Sequence, residues 1–310
     1  MSSSGIKQQQ RITKTRICNP GFFTGKAVNG ANITKINMRG EKMVNVKIAL
    51  IQMKVGLDKE GNVKRAKELL EEAAQKGADI AVLPEMFNCP YNNECFREYG
   101  ESYPGATTRL LSEEAKKNSM YIIGGSIPEL ENDKIYNTSY IFDRHGKLVG
   151  KHRKVHLFDI DIKGRITFRE SDVLTPGTEM TVFDTEWGKL GVMLCYDIRF
   201  PEFTRKMALA GVKAVFVPAA FNMTTGPAHW ELTFRARALD NQVYMFGISS
   251  ARNEKGYIAY GNSIAVNSWG QVIGRLDEKE SILVLDVDLD DINEIRESLP
   301  LLKHRRPDLY

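Results

Sequence analysis

The sequence predicts an α/β protein built as one large domain, and three observations carry that prediction. Short apolar, β-rich runs alternate with amphipathic helical stretches through residues 44–124. The runs are apolar at successive positions, as in strands buried on both faces. No internal repeat or Gly/Ser linker interrupts residues 44–310. The chain therefore reads as one domain, although 310 residues exceed the usual length of roughly 150 per domain.

Each element has a local reason. Residues 46–53 (VKIALIQM) form a buried strand. A helix follows, with Val63, Ala66, Leu69, Leu70, Ala73 and Ala74 on one face, and Gly77 stands where a helix end needs a positive φ. Residues 79–83 (DIAVL) are a second strand, 107–117 an amphipathic helix and 120–124 (MYIIG) a third strand. Residues 138–142 and 147–150 flank Asp143-Arg144-His145-Gly146 and predict a hairpin. Residues 190–194 (LGVML) are a strand, and Pro201 opens a helix at its first position, where a missing N–H costs nothing. Strand 212–217, helix 229–241 and strands 243–249, 263–266, 272–276 and 282–287 complete the domain, with a turn at 267–270. The tail 299–310 is too rich in Pro and charge to pack alone and is expected to lie on the surface or against a partner subunit.

Composition narrows the function. With 42% hydrophobic and 26% charged residues, the chain can bury a full core, and a wholly disordered protein is excluded. A net charge of +4 is too small to indicate nucleic acid or an anionic membrane as partner. Seven of the basic residues lie in positions 1–40, which contain no Asp or Glu; the other 270 residues carry 36 basic against 39 acidic side chains. Residues 1–43 therefore read as a basic extension, either a mitochondrial transit peptide or a disordered head before a start near Met43, and 44–310 as the folded domain. No apolar run approaches the roughly 18 residues of a spanning helix. Four cysteines (Cys18, Cys89, Cys95, Cys195) are too few for a disulfide scaffold, so a reducing compartment is expected. The expected location is cytoplasmic, or mitochondrial if the head is a transit peptide.

Four segments carry a reactive side chain to a strand end, where open α/β sheets build their sites. Cys195 follows LGVML and precedes Tyr196-Asp197-Ile198-Arg199-Phe200-Pro201-Glu202. There a helix N-terminus and the Tyr196 N–H favour negative charge; the plain alternative is an inert buried cysteine. Glu85 ends DIAVL through Pro84, and a carboxylate at the rim of an apolar sheet must be paired, solvated or functional. Lys154 lies in the basic run 151–156, which enters the apolar pair Leu157-Phe158, and Glu170 follows Ile166-Thr167-Phe168-Arg169. Hydrolysis of an amide by a thiol needs a nucleophile, a carboxylate base and a fixed cation for the oxyanion. Cys195, Glu85 and Lys154 are one of each. No HExxH or CxxC pair indicates a metal site, no GxGxxG or GxxxxGK[ST] run indicates a nucleotide, and no cofactor is expected.

The segments LPEMF (83–87), HRKVHLFD (152–159), FRE (168–170) and CYDIRFPE (195–202) resemble, in order and spacing, the nitrilase or carbon–nitrogen hydrolase superfamily. The resemblance spans about residues 45–310. The stretches FNMTTGPAHWELTFRARALDNQVY (221–244) and RRPDLY (305–310) are most similar to its ω-amidase branch. The resemblance implies a four-layer αββα sandwich and a Glu85, Lys154, Cys195 triad, in which the Lys154 cation beside Cys195 is expected to lower the thiol pKa. It adds Glu170 as a second carboxylate that positions Lys154, and commonly a homodimer or higher homo-oligomer. It further implies a small-molecule substrate, the ω-amide of a short dicarboxylate such as 2-oxoglutaramate or 2-oxosuccinamate. Arg199 is the natural guanidinium fork for the distal carboxylate, with a structural salt bridge as its alternative. Thr225 and Tyr91 match the branch's other substrate contacts. Other amidases of the superfamily, acting on deaminated glutathione, N-carbamoyl compounds or nitriles, share the same triad.

Overall fold

The computed structural model of the protein describes residues 45–164 and 166–309. The basic extension expected at 1–43 lies outside them.

The first half of the domain runs β1 (Val46–Gln52), α1 (Lys59–Gln75), β2 (Ile80–Val82), α2 (Asn93–Glu98), α3 (Ala106–Asn118), β3 (Tyr121–Ile123), β4 (Ile127–Glu131), β5 (Lys134–Phe142), β6 (Leu148–Arg153), β7 (Asp159–Ile162) and β8 (Ile166–Arg169). The second runs β9 (Thr181–Thr185), β10 (Gly188–Val192), α4 (Pro201–Leu209), β11 (Ala214–Ala219), α5 (Gly226–Asn241), β12 (Tyr244–Ser249), β13 (Ile264–Val266), β14 (Val272–Arg275), β15 (Ser281–Val287) and α6 (Asp291–Ser298). Asp58 starts α1 by accepting from the N–H groups of Glu60 and Gly61, and Gly77 at φ 78° ends that turn as anticipated.

Two mixed sheets result. One has the order β15-β1-β2-β3-β5-β4, with β6 also paired to β5; the other is β14-β13-β12-β11-β10-β9. Alternation along β1 explains the layering. Ile48 and Leu50 face Phe216 and Phe246 of the opposite sheet in one apolar cluster. Ala49 and Ile51 point the other way, onto Leu69 and Leu70 of α1 and Leu111 of α3. On the far side, Val215 and Val217 of β11 pack under Met207 of α4 and Trp230 and Phe234 of α5. The result is helix, sheet, sheet, helix, the predicted αββα sandwich.

The boundaries differ in informative places. β10 stops at Val192, and residues Cys195–Arg199 form a 3₁₀ turn before α4 begins at Pro201. α5 starts three residues before the predicted position. β7 and β8 pair as a separate two-stranded hairpin between Lys154 and Glu170. In the tail, Leu302 packs against the outer cluster and the Leu299 carbonyl accepts from Gln242. No helix among the described residues is long and apolar enough to cross a membrane.

Candidate active site

Glu85 is presented by a braced loop. Three residues past β2, its neighbour Met86 takes φ 50°, and the strand end is gripped by Gly125-Ser126 after β3. Ser126 N–H donates to the Pro84 carbonyl at 3.2 Å, while Met86 N–H donates to Ser126 Oγ at 2.9 Å. Gly125 sits at φ 52°, and a Cβ there would come within 2.1 Å of the Pro84 oxygen. Only glycine permits that approach.

Lys154 follows β6 directly, and its N–H donates to the Asn137 carbonyl on β5 at 2.8 Å. Its ammonium lies 2.9 Å from Glu85 Oε1 and 2.9 Å from Glu170 Oε1. All three side chains are buried. The β7–β8 hairpin returns the chain so that Glu170, sixteen residues on, opens a 3₁₀ turn beside the lysine. Glu170 Oε2 accepts from Phe158 N–H at 2.6 Å. Burial opposes a charge on Lys154, yet Glu170 and Glu85 outweigh it and raise its pKa well above normal. Burial, with the Glu170 charge, pushes the Glu85 carboxyl up against the pull of Lys154.

Cys195 is buried at the start of its 3₁₀ turn, at φ 41°. A non-glycine residue there stores local strain, and such strain concentrates at functional sites. The turn is pinned by Asp197, which is fully buried. Asp197 Oδ2 accepts from Leu194 N–H at 2.9 Å and lies 3.0 Å from His152 Nε2; its Oδ1 accepts from His156 N–H at 2.9 Å and lies 2.8 Å from His156 Nδ1. Burial works against this carboxylate, but the histidine contacts outweigh it and hold its pKa below the ordinary range. His152 and His156 flank Lys154, so one carboxylate ties the Cys195 turn to the lysine's segment.

The expected lowering of the Cys195 pKa is not what the site produces. Burial and the neighbouring Glu85 push the thiol well above its usual value, and Lys154 and a backbone hydrogen bond at Ala220 offset only part of this. The resting thiol therefore keeps its proton, and ionisation needs a base at hand. The short turn contributes less helix dipole than a full helix N-terminus.

The other predicted residues divide. Tyr91 lines the cavity that reaches the cluster, and its hydroxyl donates to Glu170 Oε1 at 2.5 Å and accepts from Lys154 Nζ at 3.2 Å. Tyr196 is second in the 3₁₀ turn, where the first N–H groups lack a carbonyl within the turn. Arg199 is half-buried, with its guanidinium 4.8 Å from the Phe221 ring centroid and 3.1 Å from His229 Nδ1. It makes no ion pair among the described residues, so the salt-bridge alternative has no partner there. Thr225 precedes α5, and its hydroxyl donates to Asn222 Oδ1 at 3.3 Å. A cavity of about 240 Å³ reaches the cluster, lined by Glu85, Tyr91, Ala220 and Tyr257, with Leu57 and Lys255 among the outer residues. Arg199 and Thr225 lie off that lining, joined to each other through His229, whose N–H donates to the Thr225 carbonyl.

Asn137, Asp197 and Tyr257 are absent from the sequence-derived set. Asn137 Nδ2 donates to Glu85 Oε1 at 2.8 Å. Tyr257 donates to the Ala220 carbonyl at 2.7 Å, its ring 5.0 Å from Tyr91. Only Asp197 left a signal, being an acid two residues past Cys195 in a run that must be buried.

A four-layer α/β sandwich that buries a Glu–Lys–Glu cluster against a cysteine in a strained turn fits a class, the hydrolases of carbon–nitrogen bonds. The chain belongs to the carbon-nitrogen hydrolase family, which it matches over residues 47–297. Omega-amidase NIT2-A of Xenopus laevis is 51% identical over 269 residues, covering 86% of this chain and 98% of that protein. Omega-amidase NIT2 of Mus musculus is 50% identical with the same coverage. Among solved structures, Saccharomyces cerevisiae Nit3, a member of branch 10 of the nitrilase superfamily, superposes with a TM-score of 0.78 at 43% identity. It covers 84% of this chain and 97% of that one.

Proposed function

We propose that the protein is an ω-amidase that hydrolyses the terminal amide of short dicarboxylate monoamides, such as 2-oxoglutaramate and 2-oxosuccinamate, to the dicarboxylate and ammonia. The observation that carries the chemistry is the buried Lys154 ammonium, 2.9 Å from each of two carboxylates, with Cys195 beside one of them. The choice of substrate is supported by the relatives near 50% identity that bear the omega-amidase name. It is supported further by Arg199, a guanidinium with no carboxylate partner among the described residues.

In this reading Glu85 takes the Cys195 proton as the sulfur bonds to the amide carbon. The raised pKa of Glu85 suits a base, because proton transfer is most effective when donor and acceptor are closely matched. The oxyanion faces Lys154 and the Tyr196 N–H. Collapse breaks the C–N bond, the proton on Glu85 passes to nitrogen, and ammonia leaves. Water then adds to the thioester with Glu85 again taking the proton, the C–S bond breaks, and the thiol is restored. Glu170 and Tyr91 hold Lys154 in place throughout.

The reading includes a homodimer. Leu232 and Leu239, seven residues apart on one face of α5, are 69% and 43% exposed, as a face awaiting a second subunit would be. An ammonia-release screen over ω-amides of oxo-dicarboxylates, neutral amides, N-carbamoyl compounds and nitriles tests the assignment. Preference for the first group is expected. Preference for any other moves the protein to another branch, and no turnover of any group ends the enzymatic reading.

A further inference from the structure

The hydrogen bonds around Glu85 are distributed unevenly over its two oxygens. Oε1 accepts from Asn137 Nδ2 at 2.8 Å and from Lys154 Nζ at 2.9 Å. A carboxylate oxygen offers two in-plane lone pairs, so these donors fill Oε1. The Tyr91 hydroxyl, 3.4 Å away, does not compete, since its one proton is directed to Glu170 at 2.5 Å. Oε2 is buried and makes no hydrogen bond among the described residues. An unpartnered carboxylate oxygen in a buried site is costly and calls for an explanation.

We infer that Asn137 is a positioning residue for the reaction: by occupying Oε1 it leaves Oε2 of Glu85 as the oxygen that takes the Cys195 proton. This rests on Glu85 being the base. Asn137 is fully buried on β5. Its side chain holds Glu85 while its carbonyl holds the Lys154 N–H at 2.8 Å, so one residue sets the base and the cation in register. Lysine alone would not orient the carboxylate, because a lone ammonium can pair with either oxygen. The amide fixes which oxygen is free.

The charged and titratable groups facing Glu85 are Lys154 from the end of β6, Glu170 from the turn after β8, Cys195 from the turn after β10, Tyr91 from its own loop, and Tyr257 from the loop between β12 and β13. Lys154 and the thiol favour the ionised carboxylate, and Glu170 opposes it. Removing the Asn137 donor adds to the opposition, so the carboxyl stays protonated to higher pH. The acid limb of the kcat/KM profile should therefore move upward.

The test uses Asn137→Leu, which keeps the branching but is larger and has no polar atoms, and Asn137→Asp, which keeps the shape and replaces the donor with an acceptor. Ser139→Ala is the control on the same strand, because the buried Ser139 hydroxyl makes no hydrogen bond among the described residues. Rates are referred to the folded fraction counted by circular dichroism. Both Asn137 variants should lose about tenfold or more in kcat, a part of the usual general-base contribution. KM should change little, the acid limb should shift upward, and Cys195 should alkylate more slowly with iodoacetamide; Ser139→Ala should behave as wild type. If folded Asn137→Asp keeps kcat within threefold and an unmoved acid limb, the inference fails. Glu85→Gln run in parallel separates the two ideas. An active Glu85→Gln removes the base assignment itself, whereas an inert one beside unchanged Asn137 variants removes only the role of Asn137.

Discussion

Replacing Lys154 by Met keeps most of the side chain's length and deletes its charge. The ammonium lies 2.9 Å from Glu85 and 2.9 Å from Glu170, so in the proposed mechanism the change removes the oxyanion's cation, and in the fold it leaves two carboxylates facing each other. Loss of one preorganised oxyanion donor costs roughly 10²–10³ in kcat, about 2.7–4 kcal/mol. Breaking a buried ion pair from one side costs about 3–5 kcal/mol of stability. That second loss depends on pH. The Glu85 pKa is already raised by burial and climbs further without the lysine. A carboxyl whose folded pKa exceeds its unfolded value binds more protons when folded, so stability falls as pH rises through that interval. The variant's deficit should be smallest near pH 4 and grow toward neutrality. Ammonia release gives kcat and KM, and thermal melts at pH 5 and pH 8 give the stability difference. A kcat within threefold of wild type with only KM altered would refute the oxyanion role. A deficit that does not grow with pH would refute the buried Glu–Lys–Glu electrostatics.

Other changes separate neighbouring roles. Arg199→Ala should raise KM about tenfold or more for amides with a distal carboxylate, in line with losing a charge-assisted contact, and leave a neutral amide unaffected; equal losses on both rule out the clamp. Tyr91→Phe should lower kcat and leave KM for anionic substrates unchanged, because the hydroxyl contacts Lys154 and Glu170; a change confined to KM would make Tyr91 a substrate contact instead. Asp197→Asn should slow both turnover and iodoacetamide capture of Cys195 by freeing its turn from His152 and His156. Unchanged capture would show that the turn holds its shape alone.

The strands and helices that make the sandwich were readable because their periods differ. Residues 46–53 are apolar at six of eight positions, with Ile48 to Ile51 unbroken, whereas α1 is apolar only at helical spacing, and burial on two faces or one face accounts for both. The pairing of β1 with β15, Val46 against Val287, was not readable, since nothing local specifies a partner so distant in sequence. The β4–β5 hairpin could have been found: Asn132 and Asp133 sit at φ 50° and 63° in a two-residue turn, and such turns favour these residues. In the site, Glu85, Lys154, Glu170 and Cys195 stood out as reactive side chains at strand ends. Asn137 did not, because an amide within a strand looks like any polar strand residue until its partner is known. The direction of the Cys195 pKa was misjudged for a related reason. The neighbouring cation is visible in sequence, whereas the depth of burial that outweighs it is a property of the assembled layers.

Mass spectrometry of enzyme quenched in acid during turnover of 2-oxoglutaramate tests the thiol mechanism most directly. The peptide containing Cys195 is expected to gain the mass of the substrate less ammonia, and Cys195→Ala should show neither the adduct nor ammonia release while melting as a folded protein. An unmodified Cys195 peptide together with wild-type turnover by Cys195→Ala would contradict it.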